Sequence, residues 1–183
     1  MIQRRDEGRP WLSNMASTRA EDDAMLDRWA EDNKGNDDSL RLEGFLKTKA
    51  QSDDWHAIAT CWNWDNGYEP LAWIIRRQEC DKATAPEIYW LGEPWFYAWK
   101  VEEREKILDW SLDGFHLSAE IFERWTQGFY KRTEIAYDGT RHIPAQTVDR
   151  NRNIRDIPAP MSLKLEGRII PIDDFYDGFL PLP

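Results

Sequence analysis

The stretch WHAIATCWNWDNG, residues 55–67, decides how the chain folds. Two tryptophans and two aliphatic residues in it recur at i, i+3, i+4 and i+7: Trp55, Ile58, Ala59 and Trp62. This spacing places apolar side chains on one face of an α-helix, and we expect that face to be core. The helix should end at the turn Asp65-Asn66-Gly67, because Asn and Gly tolerate positive φ and the Asp carboxylate can accept from nearby backbone N–H groups.

Two further helices are predicted after this turn. A short helix of about two turns should begin near Pro70, because proline is acceptable in a first helical turn and apolar residues follow at helical spacing. A third helix is predicted from Thr-Ala-Pro-Glu at residues 84–87, which has the pattern of a capping box. In that motif the Thr84 hydroxyl accepts from the N–H of Glu87, and the Glu87 carboxylate accepts from the N–H of Thr84. Gly92 should end this helix.

Two motifs in the central stretch resemble those of a small bacterial family, DUF4274. Residues 62–67 (WNWDNG) are similar to its Asn-Trp-Asp-(Asp/Asn)-Gly turn, and residues 80–85 (CDKATA) to its Cys-Asp-x-(Gly/Ala)-Thr-Ala segment. The sequence departs from the family at Ala83, where Gly is expected, and at Pro86, where an aliphatic residue is usual. The resemblance covers about residues 40–115. It implies a mostly helical domain with no established catalysis, often encoded near secreted toxin genes.

The fold class predicted for the whole chain is mainly α: a multi-helix orthogonal bundle followed by an extended, partly β-hairpin C-terminal arm. Residues 1–17 lack periodicity and should form a flexible N-terminal arm. The helical domain is expected over residues 18–129. Thr18, three residues before Glu21, should begin its first helix as another capping box, and Ser118 should cap its last helix.

The C-terminal arm, residues 130–183, has a different pattern. The Asp-Gly pair at 138–139 lies between two short β-type runs, which is typical of a two-residue hairpin with a type I′ turn. The Glu-Gly pair at 166–167 suggests a second hairpin, ended by Pro171. Residues 130–170 hold eight Lys/Arg against five Asp/Glu, so packing of this basic segment on the acidic remainder of the chain is one interpretation.

Charge and composition limit the classes of partner. The net charge of −10 argues against nucleic acid, because phosphates repel such a surface, and it permits a basic protein partner. No stretch approaches the roughly 18 apolar residues of a membrane span, so we expect no membrane partner. Cys61 and Cys80 do not form a C-x-x-C pair and no signal peptide precedes them, so we expect free thiols and a cytoplasmic location.

Patterns typical of catalysis, metals or cofactors are missing from the sequence. The three histidines are scattered, and none lies at metal-ligand spacing from another. A calcium loop with Gly67 in sixth place would put Trp62 and Trp64 at ligand positions, which indole cannot fill. The nucleophile elbow, the P-loop and the dinucleotide-binding glycine motif are also absent. We therefore expect no enzyme activity, no metal and no cofactor.

Eight of the eleven tryptophans fall into two groups. Helical register assigns four to the core: Trp29, Trp55, Trp62 and Trp125. Four others have no clear place on an apolar face: Trp64, Trp90, Trp95 and Trp99. Aromatic residues beside acidic ones resemble the centre and rim of a protein interface. The predicted partner-binding residues are Trp64, Asp65, Asn66, Glu93, Trp95, Trp99, Glu102 and Glu103.

The first functional hypothesis is a non-catalytic, cytoplasmic protein-binding protein. In its most concrete form it is an immunity protein that covers the active site of a secreted bacterial toxin, with acidic side chains pairing with Lys/Arg of a basic toxin domain. One alternative is a hydrolase with an acidic and aromatic groove. Another is a homo-oligomeric scaffold, such as a homodimer in which the C-terminal arm wraps a neighbouring subunit.

Overall fold

The structure, a computed structural model, describes residues 17–35, 37–94, 111–142 and 164–172. Six α-helices lie within these ranges: α1 Arg19–Asp32, α2 Asp37–Thr48, α3 Ser52–Cys61, α4 Glu69–Ile75, α5 Thr84–Leu91 and α6 Leu112–Thr126. Two short strands, β1 Tyr137–Asp138 and β2 Lys164–Leu165, form an antiparallel sheet, and 3-10 helices span Trp64–Asn66 and Gly139–His142. The predicted mainly α fold class is confirmed.

The first helix begins as the sequence predicts. The N–H of Glu21 donates to the Thr18 hydroxyl at 3.3 Å, and the N–H of Thr18 donates to the Glu21 carboxylate at 2.7 Å, which completes a capping box. Helices α1 and α2 pack together, and Lys47 of α2 bonds to Asp27 of α1. Residues 1–16 lie outside the described residues, and the domain boundaries at 17/18 and 129/130 stay predictions.

The apolar face of α3 is core. Trp55, Ile58, Ala59 and Trp62 are all buried, and α3 packs on α5. The Trp55 ring meets the fully buried Trp73 ring of α4 edge-on, with centroids 5.8 Å apart. The helix ends at Cys61, just before the predicted turn, and Gly67 has the expected positive φ of 89°. This part of the prediction is confirmed.

A buried ionic network joins α1, the end of α4 and α6. Asp22 accepts from Arg76 at 3.1 Å and also from Arg77. Arg76 donates to both carboxylate oxygens of Glu120, at 2.9 and 2.8 Å, and Arg124 donates to the same carboxylate at 2.8 Å. Burial lowers the pKa of Arg77 to about 10, so it stays charged at neutral pH. Each buried charge in the network therefore has an opposite partner, as burial requires.

The predicted capping box at the start of α5 is wrong. No side chain caps this helix, although it does begin at Thr84. The Thr84 hydroxyl lies 3.1 Å from His56 Nδ1, and the Glu87 carboxylate accepts a hydrogen bond from Arg141. Asp81 shapes the turn before the helix instead: its carboxylate accepts from the N–H of Ala83 at 2.9 Å. Both predicted capping side chains are buried, so tertiary partners satisfy them in place of the local backbone.

The predicted start of the last helix is also wrong. Helix α6 begins at Leu112, so Ser118 lies in its middle and is buried. Ser and Thr favour caps because their hydroxyls compete for backbone groups, but a buried position inside a helix overrides that local preference.

The predicted local hairpins are replaced by pairing between two separate segments. Strand β1 pairs with β2, with Tyr137 opposite Leu165. Gly139 lacks the positive φ that a type I′ turn requires. The Asp138 carboxylate accepts from the N–H and the hydroxyl of Thr140, at 3.1 and 2.6 Å, and so favours the 3-10 helix that follows. A local hydrogen-bonded turn has displaced the hairpin turn.

The second predicted hairpin is wrong for a related reason. Arg168 pairs with Ile135: the N–H of Arg168 donates to the Glu134 carbonyl at 2.9 Å, and the N–H of Ala136 donates to the Arg168 carbonyl at 2.8 Å. A Cβ on Gly167 would lie 2.5 Å from the Glu134 carbonyl oxygen. The glycine therefore permits close backbone approach between the segments and is not a turn residue.

The C-terminal segments complete the core of the helical body. Tyr130, Ile135 and Tyr137 are buried in the same apolar cluster as the helices. The guanidinium of Arg168 bonds to both carboxylate oxygens of Asp53 in the first turn of α3, at 2.5 and 2.8 Å. This contact agrees with the interpretation that the basic segment packs on the acidic part of the chain.

Candidate functional site

The 3-10 helix Trp64–Asn66 presents one side of the candidate site. The Asn63 side chain accepts from the N–H of Asp65 at 3.1 Å and so begins this short helix. The Trp64 ring then meets the ring of Tyr68 edge-on, with centroids 5.6 Å apart. Both rings are only partly buried, packed against the core. This part of the chain therefore offers two aromatic rings at the surface.

The turn after α5 brings a carboxylate to the same place. A Cβ on Gly92 would lie 3.1 Å from the ring of Trp64, so the two residues are in contact. The next residue, Glu93, is exposed and has a φ of 53°, which is unusual for a residue other than glycine. Its N–H donates to the Trp90 carbonyl at 3.1 Å. The strained turn thus lies against Trp64 through Gly92, and the exposed Glu93 is the next residue in the chain.

Three exposed carboxylates surround the two rings: Asp65, Glu93 and Asp113. Burial raises the pKa of the Tyr68 hydroxyl, and the charges of Asp113 and Asp65 raise it further. Among the described residues, no ion pair involves any of the three carboxylates. We call Trp64, Asp65, Tyr68, Glu93 and Asp113 the acidic-aromatic patch.

The structure brings together three of the predicted partner-binding residues, Trp64, Asp65 and Glu93. Asn66 has a structural role, because its backbone carbonyl accepts from the indole N–H of the core residue Trp29 at 2.7 Å. Four predicted residues lie outside the described residues: Trp95, Trp99, Glu102 and Glu103. Trp90, which had no clear place in the sequence pattern, is buried.

Two patch residues were missed by the sequence analysis. Tyr68 lies four residues after Trp64, a spacing at which side chains often meet, so its position was open to prediction. Asp113 lies in the first turn of α6, and no local pattern relates it to Trp64. Only tertiary packing brings it close.

A second polar cluster lies between α3, α5 and residues 137–142. We call it the Glu87 cluster: His56, Thr84, Glu87, Arg141 and His142. Arg141 Nη2 donates to Glu87 Oε2 at 2.6 Å, and His142 Nε2 lies 2.8 Å from the same oxygen. Burial pushes the pKa of Glu87 upward, but hydrogen bonds from His142 and Arg141 outweigh it and leave the pKa lowered. Burial lowers the pKa of His56, so its imidazole is neutral at pH 7.

The Glu87 cluster contains a pair that resembles a catalytic arrangement. The Thr84 hydroxyl and His56 Nδ1, 3.1 Å apart, have the separation of a nucleophile and its general base. Thr84, however, is completely buried, so its hydroxyl cannot meet a substrate in this conformation. The cluster is better explained as a tertiary contact that holds residues 137–142 on α3 and α5.

The described residues hold no group of three or more His, Cys, Asp or Glu side chains suited to bind a metal ion. Cys61 and Cys80 are free thiols, and Cys80 is fully buried. None of the helices in the described ranges combines the length and the apolar character needed to cross a bilayer.

The fold and site together define a mainly α domain with an acidic and aromatic surface. The family model described as "Domain of unknown function (DUF4274)" matches residues 50–114 of the chain. This match confirms the resemblance carried by the two motifs. No curated protein and no solved structure matches the chain.

Both motifs form hydrogen bonds with residues outside the matched range 50–114. In the first, the carbonyls of Asn66 and Gly67 accept from the indole N–H groups of Trp29 and Trp62, at 2.7 and 2.9 Å. In the second, the Asp81 carboxylate accepts from the N–H of Glu134 at 2.7 Å, besides that of Ala83. The motifs therefore have a structural role in this chain, one towards α1 and the other towards the C-terminal segment.

Proposed function

We propose that this protein is a non-catalytic binding protein, and most concretely an immunity protein that neutralises a secreted bacterial toxin by covering its active site. The observation that carries the proposal is the acidic-aromatic patch. Within the described ranges, Asp65, Glu93 and Asp113 have no cationic partner, and they flank two partly exposed rings. A surface of this kind suits a partner of opposite charge.

The chemistry of the patch favours a basic protein partner. Aromatic side chains commonly anchor the centre of an interface, since they bury a large area at small cost in conformational entropy. Unpaired carboxylates at the rim attract Lys and Arg and accelerate encounter. The net charge of −10 extends this attraction beyond the contact surface. The expected partner is therefore a basic toxin domain, met in the cytoplasm, where an immunity protein would act.

Capture of a partner tests the proposal. The tagged full-length chain is co-expressed with the products of the genes next to its own, and the affinity of any captured protein is then measured. We expect a dissociation constant well below micromolar, protection of growth when the captured protein is toxic, and weaker association at high salt because exposed charges are screened. No partner tighter than micromolar would count heavily against the proposal.

Charge reversal locates the surface. Asp65→Lys/Glu93→Lys should weaken binding of the captured toxin at least tenfold, because the patch would then repel its basic groups. Asp32→Lys/Glu166→Lys is the matched control, since it changes the net charge equally at two exposed positions outside the patch. Equal loss in both variants would show that only net charge matters. Substrate turnover by the purified chain would support the hydrolase alternative, and a stable oligomer in light scattering the scaffold alternative.

A further inference from the structure

The Glu87 cluster joins residues 137–142 to α5, the helix that leads into the turn with the patch residue Glu93. The Glu87 carboxylate is 1% exposed, and a single oxygen, Oε2, receives both Arg141 and His142. The 3-10 helix Gly139–His142 delivers these two side chains together. Glu87 therefore fixes the position of that short helix on α5.

His142 also holds the neighbouring tryptophan of α5. Its ring stacks on the Trp90 ring, with centroids 6.4 Å apart and planes inclined by 8°. On the strand side, the Tyr137 ring lies 6.1 Å from His142 at an angle of 23°. Glu87 and Trp90 are three residues apart on α5, so they share a face and contact the same imidazole. The position of Trp90 therefore depends on where His142 lies.

Trp90 in turn supports the turn that carries the patch carboxylate. Its carbonyl accepts from the N–H of Glu93 at 3.1 Å, and the preceding N–H of Gly92 donates to Ile88 at 3.0 Å. Glu93 adopts a positive φ that L-residues rarely adopt, so it needs the surrounding contacts to hold it. Gly92 packs on the ring of Trp64.

We propose that Glu87 and His142 are positioning residues for the acidic-aromatic patch. They fix Trp90 at the end of α5, and Trp90 fixes the turn in which Gly92 lies against the Trp64 ring and the exposed Glu93 follows. Neither positioning residue belongs to the patch. The inference rests on the proposed function in that it assigns these residues to the same binding surface.

Amide hydrogen exchange on the full chain, measured by NMR, tests the positioning directly. In Glu87→Gln and His142→Gln, we expect exchange at the amides of Gly92 and Glu93 to rise about tenfold, because the turn loses its support. His142→Phe keeps a ring on Trp90 without the hydrogen bond, so it should restore most of the protection. Arg168→Ala is the control, because it releases residues 164–172 from Asp53 on α3. In this variant the exchange rates of the Gly92 and Glu93 amides should change less than about twofold.

The outcomes separate this inference from the proposed function. Unchanged exchange at Gly92 and Glu93 in both glutamine variants, or an equal rise in Arg168→Ala, would overturn the positioning role. With a captured toxin in hand, His142→Gln should weaken binding about tenfold, and His142→Phe should restore it. If the wild-type chain captures no partner but the exchange results are as expected, the proposed function fails and the positioning role stands.

Discussion

The two motifs that resemble DUF4274 differ in how their side chains are used. At residues 62–67 the turn predicted from local preferences forms, and Asp65 points to solvent. At residues 80–87 the predicted capping box does not form, and Asp81, Thr84 and Glu87 are buried. The acceptors that the first motif provides in the interior are backbone carbonyls, whereas the second provides a side-chain carboxylate. Local preference therefore predicts structure well where the polar side chains stay in water, and poorly where burial gives them distant partners.

Substitution of the aspartate in each motif is expected to show the largest difference. Asp81→Ala should lower the free energy of unfolding by about 2–4 kcal/mol, because it leaves the buried N–H of Ala83 unsatisfied and removes the bond to the part-buried N–H of Glu134. Asp65→Ala should change it by less than about 0.5 kcal/mol, since that carboxylate is exposed. Urea denaturation measures both values. Similar losses for the two variants would contradict the comparison.

The turn glycine of the first motif should give the next largest effect. Gly67→Ala is expected to cost about 2–3 kcal/mol, because a side chain is strained at a φ of 89° and its Cβ would lie 2.6 Å from the Glu69 carboxylate. Gly44→Ala is the matched control in the interior of α2, where a Cβ meets nothing within 4 Å. That control should stabilise by up to about 1 kcal/mol through helix propensity. A neutral Gly67→Ala in thermal denaturation would show that the turn relaxes easily.

Two threonines that share one sequence pattern should respond differently. Thr84→Val removes the hydroxyl that faces His56 and should cost about 1–2 kcal/mol, without loss of a helix cap. Thr18→Ala removes a true cap and should cost about 1 kcal/mol. Hydrogen exchange distinguishes them: Thr18→Ala should fray the first turn of α1 alone, whereas Thr84→Val should loosen α3 and α5 together. Fraying confined to the first turn of α5 would support the capping box after all.

The smallest expected effect is a pH dependence from His56. Its folded-state pKa is lowered by burial, so the unfolded chain binds a proton more readily than the folded chain. Stability from this group is therefore fully present above its unfolded pKa of about 6.5 and declines as pH falls towards the folded value. The lowered pKa of Glu87 acts in a more acidic range and does not confuse the measurement.

Urea midpoints between pH 7.5 and 5 measure this effect. His56→Gln should flatten the decline, while His116→Gln on α6 serves as the control histidine. A decline that is the same in wild type and His56→Gln would assign the pH dependence to other groups.

Much of the helical body follows from local pattern, whereas the candidate site follows only in part. The buried face of α3 repeats every three or four residues, so neighbours along the sequence reveal it. Trp64, Asp65 and Glu93 were predicted because aromatic and acidic residues cluster there. Asp113 was missed because it reaches the patch from another helix. The strand pairing was also missed, because β1 and β2 are distant along the chain and no local pattern identifies one as the partner of the other.

The sequence by itself determined the helical class, the apolar faces, the turn at Gly67 and the resemblance to DUF4274, because each depends on residues within a turn or two of one another. Only the tertiary structure decided which buried polar groups pair. The Asp81 carboxylate accepts from the N–H of Glu134, and the Glu87 carboxylate bonds to Arg141 and His142. Strand β1 pairs with β2. These pairings satisfy buried polar groups with partners that are distant along the chain.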